Sequence, residues 1–295
     1  MTNDQLNESQ RIAVVTGASA GMGKQTAILL AAEHGMKVYL LARSEERGLA
    51  AVREVNEKSG RTDAELVLCD LASMASIREA SASLSERCDK IDVLVNNAGV
   101  VTTKREVTED GFERQLGVNH LGHFLLTGLL LPLLERSGEG RIVVVSSGAH
   151  KIGRMRYDDP NMEKSFTIWA AYGRSKVANI WFARELAERL KKAGSTVTVN
   201  ALHPGAVATQ IGVNRNTGFG TMLHKLLKPF FLSAAEGSAT AVYLAASDST
   251  EVKKTSGQYY YRKAPAPISK LAADPSEAKR FWEWSEQSTK FHYPV

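Results

Sequence analysis

Short, unbroken apolar runs alternate along the chain with longer stretches whose apolar residues recur every three or four positions. Residues 11–16 (RIAVVT) read as a buried strand, as do 37–42 (KVYLLA), 64–69 (AELVLC), 91–95 (IDVLV), 141–146 (RIVVVS) and 196–202 (TVTVNAL), with a last strand at 257–261. Helical spacing fills 22–34, 44–58, 73–87, 108–134, 168–193 and 234–247. Strands that are apolar throughout suit a parallel sheet buried on both faces. Alternating with helices, they build right-handed βαβ units, hence an α/β fold with a doubly wound parallel sheet of about seven strands and helices on both faces. No internal repeat and no Pro/Gly/Ser linker divides the chain, so residues 1–295 read as one domain.

Two segments break this rhythm. Residues 148–167 separate a strand from a helix by far more than a minimal connection, and 204–233 form a second long excursion. Long connections at the carboxyl ends of strands are where α/β folds place substrates. Within the second, Leu223, Leu226, Leu227 and Phe230 have one-face helical spacing, which predicts an apolar substrate lid. A helix packed permanently on the core and a membrane-surface patch flanked by Lys225 and Lys228 are the other readings of the same residues. Met155, Tyr157, Met162, Phe166 and Trp169 of the first segment are candidates for the opposite wall. Residues 1–10 form a polar arm, and 262–295 a tail with a helix near 275–289 bearing Phe281, Trp282 and Trp284. That tail is expected to cover either the pocket or a subunit contact.

Composition removes several functions. Of 295 residues, 43% are hydrophobic and 23% charged, which is ordinary for a globular chain. The net charge of +5 comes from lysines and arginines scattered among acids, with no dense basic block and no interleaved aromatics, so nucleic-acid binding is not expected. Cys69 and Cys88 belong to no metal-spaced cluster, so no metal site is expected. The polar start lacks the features of a secretory signal, and no apolar run is long enough to span a bilayer. A cytoplasmic location is the expectation.

The first strand runs directly into TGASAGMGK (16–24) and then a helix. Glycines let a chain turn sharply and let backbone amides approach a pyrophosphate, while the helix N-terminus offers unpaired N–H groups to that anion. Downstream, Tyr172 and Lys176 lie one turn apart on a helix face, where an ammonium can tune a phenol whose ordinary pKa is about 10. Tyr259 and Lys263 repeat the spacing, but on a strand, where four residues span about 13 Å, too far for that influence.

The spacing T-G-x-x-x-G-x-G resembles that of the short-chain dehydrogenase/reductase family. The resemblance runs on through Arg43, Asp70 in CDL, NNAG (96–99), Ser146-Ser147, Tyr172-Gly-Arg-Ser-Lys176 and His203-Pro204-Gly205. It implies a Rossmann-type oxidoreductase that interconverts an alcohol and a carbonyl, with Tyr172, Lys176 and Ser147 acting on the substrate oxygen. Asn119, in GVNHLGHF, matches the asparagine that holds a water behind the lysine. The implied cofactor contacts are Gly17, Ser19, Gly21, Met22, Gly23, Arg43, Asp70, Leu71, Asn97, Ala98, Gly99, Tyr172, Lys176, Pro204, Gly205, Val207 and Thr209. Where an NAD site carries an acid, this chain has Ala42 followed by Arg43, a guanidinium suited to a 2′-phosphate, so the resemblance implies NADP(H). One departure is Ala20, where many NADP-preferring relatives are basic; Ser19, Ser44 and Lys24 are the nearby substitutes.

The 25-residue separation of Ser147 and Tyr172, together with NHLGHF and SSGAHKIGR, is similar to retinol dehydrogenases and WW-domain oxidoreductases, which implies an apolar substrate. His120, His123 and His150 fall near the site and read as packed structural histidines. The two long helices resemble the family's dimer-forming pair, so a homodimer or homotetramer is the expectation. An NADP(H) sensor without turnover and a nucleotide-sugar epimerase or dehydratase using the same Tyr/Lys pair are the alternatives.

Overall fold

The computed structural model describes residues 10–205 and 233–295. One sheet holds eight strands: β1 (Ile12–Thr16), β2 (Lys37–Ala42), β3 (Glu65–Leu68), β4 (Val93–Asn96), β5 (Arg141–Val145), β6 (Thr198–Leu202), β7 (Tyr259–Tyr261) and β8 (Ala264–Pro265). Their spatial order is β3-β2-β1-β4-β5-β6-β7-β8. Neighbours pair parallel through β7, and only β8 is antiparallel. The sequence pattern implied about seven strands. The eighth escaped it because two residues carry no periodicity: the chain turns back through Arg262 and Lys263, both at positive φ, as a tight hairpin requires.

The helices are α1 (Gly21–His34), α2 (Glu45–Ser59), α3 (Met74–Arg87), α4 (Arg114–Arg136), α5 (Ile168–Lys192), α6 (Ala234–Ala246), α7 (Thr250–Lys254), α8 (Lys270–Ala273) and α9 (Pro275–Thr289). Alternate residues of β1 face opposite cores. Ala13 and Val15 pack with α1, α2 and α6, whereas Val14 packs with α3, α4, α5 and α9. This two-sided burial is why the strands read as continuous apolar runs.

α4 begins at Arg114, not at 108. Residues 107–113 instead fold back on themselves, with Val107 bridging Glu113 and Gly111 at φ 83°. The Glu113 carboxylate then caps the helix, accepting from the N–H groups of Gln115 and Leu116. Within α4, Gly117–Leu121 form a π-turn. α4 is long and apolar enough to cross a membrane by composition, but 89% of its apolar window is buried within the protein.

The tail lies against α4 and α5. Phe281 and Trp282 are buried, the Tyr293 hydroxyl donates to the Phe124 carbonyl (2.6 Å), and the Arg189 guanidinium sits 4.6 Å from the Trp282 ring. Asp274 caps α9 and Pro275 opens it, a start signal readable in the sequence.

Candidate active site

The strand order reverses beside β1, where β2 follows on one side and β4 on the other. Crevices at the carboxyl ends of strands beside such a reversal are the binding sites of open α/β sheets. Here the ends of β1, β4 and β5 and the residues following β6 line a cavity of about 410 Å³. Every expected cofactor residue within the described region, from Gly17 to Gly205, lines it, as do Ser147, Tyr172 and Lys176. Val207, Thr209 and the expected lid lie outside the described residues.

The glycine loop closes so tightly that side chains would not fit. A Cβ on Gly23 would stand 2.6 Å from the Gly17 carbonyl, and one on Gly17 would stand 2.9 Å from the Ala98 Cα. Gly17 also has φ 64°, the left-handed region. α1 opens at Ala20 with no side chain capping its N–H groups, which leaves them for an anion. Thr16 holds the opposite wall in place. Its hydroxyl oxygen accepts from Asn97 N–H (2.9 Å) and Ala98 N–H (3.0 Å), and the Asn97 amide donates to the Thr16 carbonyl (2.8 Å). This cradle, its free donors and its glycine clearances fit a dinucleotide pyrophosphate.

At the other end of the cavity stand Ala42, Arg43, Asp70 and Leu71. Arg43 lines the cavity rim, is exposed, and pairs with no carboxylate among the described residues. Arg47 lines the same rim. The sequence reading missed it, because it returns to the rim only through the first turn of α2, which starts at Glu45. Ser44 caps α2 by accepting from Arg47 N–H, which leaves its own hydroxyl hydrogen free to donate, and Lys24 pairs with Glu54 (2.5 Å). The Asp70 carboxylate accepts from Ala72 N–H (2.9 Å), which shapes the turn after β3.

Ser147 follows β5, and its hydroxyl accepts from Ala149 N–H (3.2 Å) at the start of a 3-10 turn, Gly148–Ile152. Tyr172 and Lys176 project from the first turns of α5, and the Lys176 Nζ lies 5.6 Å from the Tyr172 ring centroid. Burial pushes the Tyr172 phenol up and the Ser147 hydroxyl pulls it down, with burial the stronger. Burial lowers Lys176 to about 8, and its ammonium donates to the Val145 carbonyl (3.1 Å). Asn119 sits in the π-turn behind them, outside the cavity lining. Its amide spans the Val100 backbone, accepting from N–H (2.7 Å) and donating to C=O (3.0 Å), and also donates to Ser175 Oγ (3.0 Å). Of the decoy pair, Tyr259 lies in β7 and Lys263 in the tight turn beyond it, and neither lines the cavity.

A buried ion pair braces this set and was invisible to motif reading. Arg174, between Tyr172 and Lys176, meets Glu113 at 2.8 Å with both side chains almost fully excluded from solvent. Arg174 also donates to the Pro160 carbonyl, and Asn161 Oδ1 accepts from Glu113 N–H (3.0 Å). The pair therefore joins α4, α5 and the long 148–167 connection. Of the wall proposed on that connection, none lines the cavity: Met155 and Tyr157 pack inward, Arg280 lies 3.9 Å from the Tyr157 ring centroid, and Trp169 is exposed. No residue of 262–295 lines the cavity either, so the tail covers helices.

The three histidines are buried and hydrogen-bonded. His120 contacts Ser285 Oγ (2.9 Å), His123 contacts Thr16 Oγ1 (2.8 Å), and His150 contacts the Ser147 carbonyl (2.8 Å). Burial lowers all three, His120 to about 3 and His123 to about 4. Among the described residues no cluster could hold a metal ion.

Residues 11–218 match the family model of the short chain dehydrogenases. The chain is 42% identical to retinol dehydrogenase 14 of Mus musculus, over 92% of this chain and 84% of that protein. It is 41% identical to human retinol dehydrogenase 13, over 95% and 85%. Among solved structures, an uncharacterised protein from Mycobacterium paratuberculosis superposes with TM-score 0.77 at 34% identity, covering 97% of this chain and 96% of that one. The RhlG/NADP active-site complex of Pseudomonas aeruginosa has TM-score 0.66 at 27% identity, covering 84% and 93%.

Proposed function

The chain belongs to the short chain dehydrogenase family, and from that premise we propose that it interconverts an alcohol with an aldehyde or ketone, using NADP(H), on a mostly apolar substrate. The observation that carries this reading is the meeting, in one cavity, of a glycine cradle with Ser147, Tyr172 and Lys176. Gly17, Gly21 and Gly23 with the start of α1 would hold the pyrophosphate, Asp70 and Leu71 the adenine, and Asn97 to Gly99 the ribose wall. Arg43, with Arg47 beside it, supports NADP(H): a guanidinium pairs with a 2′-phosphate that an acid would repel. The bound nicotinamide supplies or accepts the hydride.

The protein's own residues handle the oxygen and its proton. The substrate oxygen would lie between the hydroxyls of Ser147 and Tyr172. Ser147 stabilises charge developing there, and Tyr172 gives or takes the proton. A phenol raised by burial is a poor base alone, so it needs a positive neighbour in its charged form. Lys176 provides that charge, and a pKa of about 8 lets it pass a proton on near neutral pH. The Asn119 turn lies behind the ammonium, since a Cβ on Gly99 would meet Asn119 Oδ1 and Lys176 Nζ at 3.6 Å each. Val100, Val118 and Val145 line the cavity, which suits a carbonyl on an apolar body. Relatives named for retinol, a largely hydrocarbon alcohol, support the same substrate class.

Tyr172→Phe tests the proton role. The variant is expected to bind NADPH as the wild type does, while kcat falls by about 10²–10⁴-fold. Turnover within a few-fold of wild type would remove Tyr172 from the chemistry.

A further inference from the structure

His123 has a hydrogen-bond environment that fixes where its proton sits. Nδ1 faces the Asn119 carbonyl oxygen at 3.1 Å, which can only accept, so Nδ1 carries the hydrogen. The ring is buried and held neutral, so Nε2 is bare and needs a donor. Its partner is the Thr16 hydroxyl at 2.8 Å. That hydroxyl also lies 3.3 Å from the Val95 carbonyl, a longer alternative. Donation to Val95 would leave Nε2 without a hydrogen bond in a fully buried site, so the hydroxyl hydrogen points to the imidazole. The remaining capacity of Thr16 Oγ1 is taken by Asn97 N–H and Ala98 N–H.

We propose that His123 is a positioning residue that locks the dinucleotide cradle to the turn carrying Asn119. The lock is a chain of hydrogen bonds with one direction: Asn97 and Ala98 N–H to Thr16, Thr16 hydroxyl to His123 Nε2, and His123 Nδ1–H to the Asn119 carbonyl. It joins the ends of β1 and β4 to the π-turn of α4. The π-turn departs from the regular helical ladder there, so a side-chain donor to the Asn119 carbonyl sets where the Asn119 side chain lies against Val100. His123 touches neither the cavity nor the groups assigned to substrate; it acts through Thr16 and Asn119. Its importance for turnover rests on the function proposed above. The hydrogen-bond chain itself does not.

Two measurements test it. In nitrogen-15 NMR of the full-length protein without ligand, with His123→Phe used to assign the signal, His123 is expected as a neutral ring protonated at Nδ1, without titrating down to about pH 5. A ring protonated at Nε2, or one titrating near its ordinary pKa, overturns the proposal. The second measurement separates the two ends of the imidazole. His123→Asn can keep a donor near Nδ1 but loses the acceptor for Thr16; His123→Gln can keep that acceptor but loses the donor to Asn119. The expected split is an NADPH Kd raised about tenfold in the Asn variant, and a kcat lowered about tenfold with little change in Kd in the Gln variant. Folded variants that bind and turn over like wild type, or that both lose affinity and rate in proportion to a lowered Tm, overturn it. If wild type binds neither NADPH nor NADH, the proposed function fails, while the tautomer result still decides the hydrogen-bond chain.

Discussion

Arg43 stands exposed at the cavity rim, one residue past the end of β2. Replacing it by an acid changes attraction for a 2′-phosphate into repulsion without disturbing the core. Arg43→Asp is expected to lower kcat/KM for NADPH by at least tenfold and to leave that for NADH equal or improved. An unchanged ratio between the two cofactors would dismiss the role of Arg43. That Gly17, Tyr172 and Lys176 would line one cavity was legible in the sequence from residue type and spacing, and Ser147 through the family resemblance. Arg47 and the contact between Thr16 and His123 were not. Arg47 matters because α2 starts at Glu45 and brings it back to the rim. Thr16 and His123 are 107 residues apart in sequence, and only the packing of α4 under β1 brings them together.

At the scale of elements, α4 and α5 carry Asn119, Tyr172 and Lys176, and the Glu113–Arg174 pair clamps them. Glu113→Gln leaves the guanidinium buried against a neutral partner. Its cost is expected to be about 3–5 kcal/mol, because breaking one side of a buried pair strands a charge. Urea unfolding of the variant checks this, and a loss below about 1 kcal/mol, the scale of an exposed pair, would show that the clamp contributes little. The existence and type of nearly every long element followed from periodicity, since the continuous apolar strands and the one-face helices match a two-sided core. The late start of α4 and the two-residue β8 did not follow. Local turn geometry overrode the helical spacing at 108–113, and β8 is too short to have a pattern.

For the whole molecule, the tail settles against α4 and α5 and encloses His120 among Phe124, Phe182 and Phe281. This covers the sides of both helices with the chain's own residues, so any homo-oligomer built on those helices must use surface that the tail leaves open. The buried histidines also make the fold sensitive to acid. His120 and His123 stay neutral down to about 3 and about 4, whereas in the unfolded chain they take up protons near the ordinary 6.5. The unfolded state thus binds more protons between those values, so stability is full above about pH 6.5 and falls as pH drops toward 4. Tm measured across that window should decline, and His120→Phe should flatten the decline. A parallel fall in the variant would place the acid sensitivity elsewhere.

If the cavity holds NADP(H) and the bound nicotinamide exchanges hydride with an apolar carbonyl compound, steady-state oxidation of NADPH, with NADH in parallel, will show it against a panel of apolar aldehydes and ketones that includes a retinoid aldehyde. Turnover on at least one member is expected, with higher kcat/KM for NADPH than for NADH. Binding of neither cofactor, or binding without turnover on any member of the panel, would contradict it.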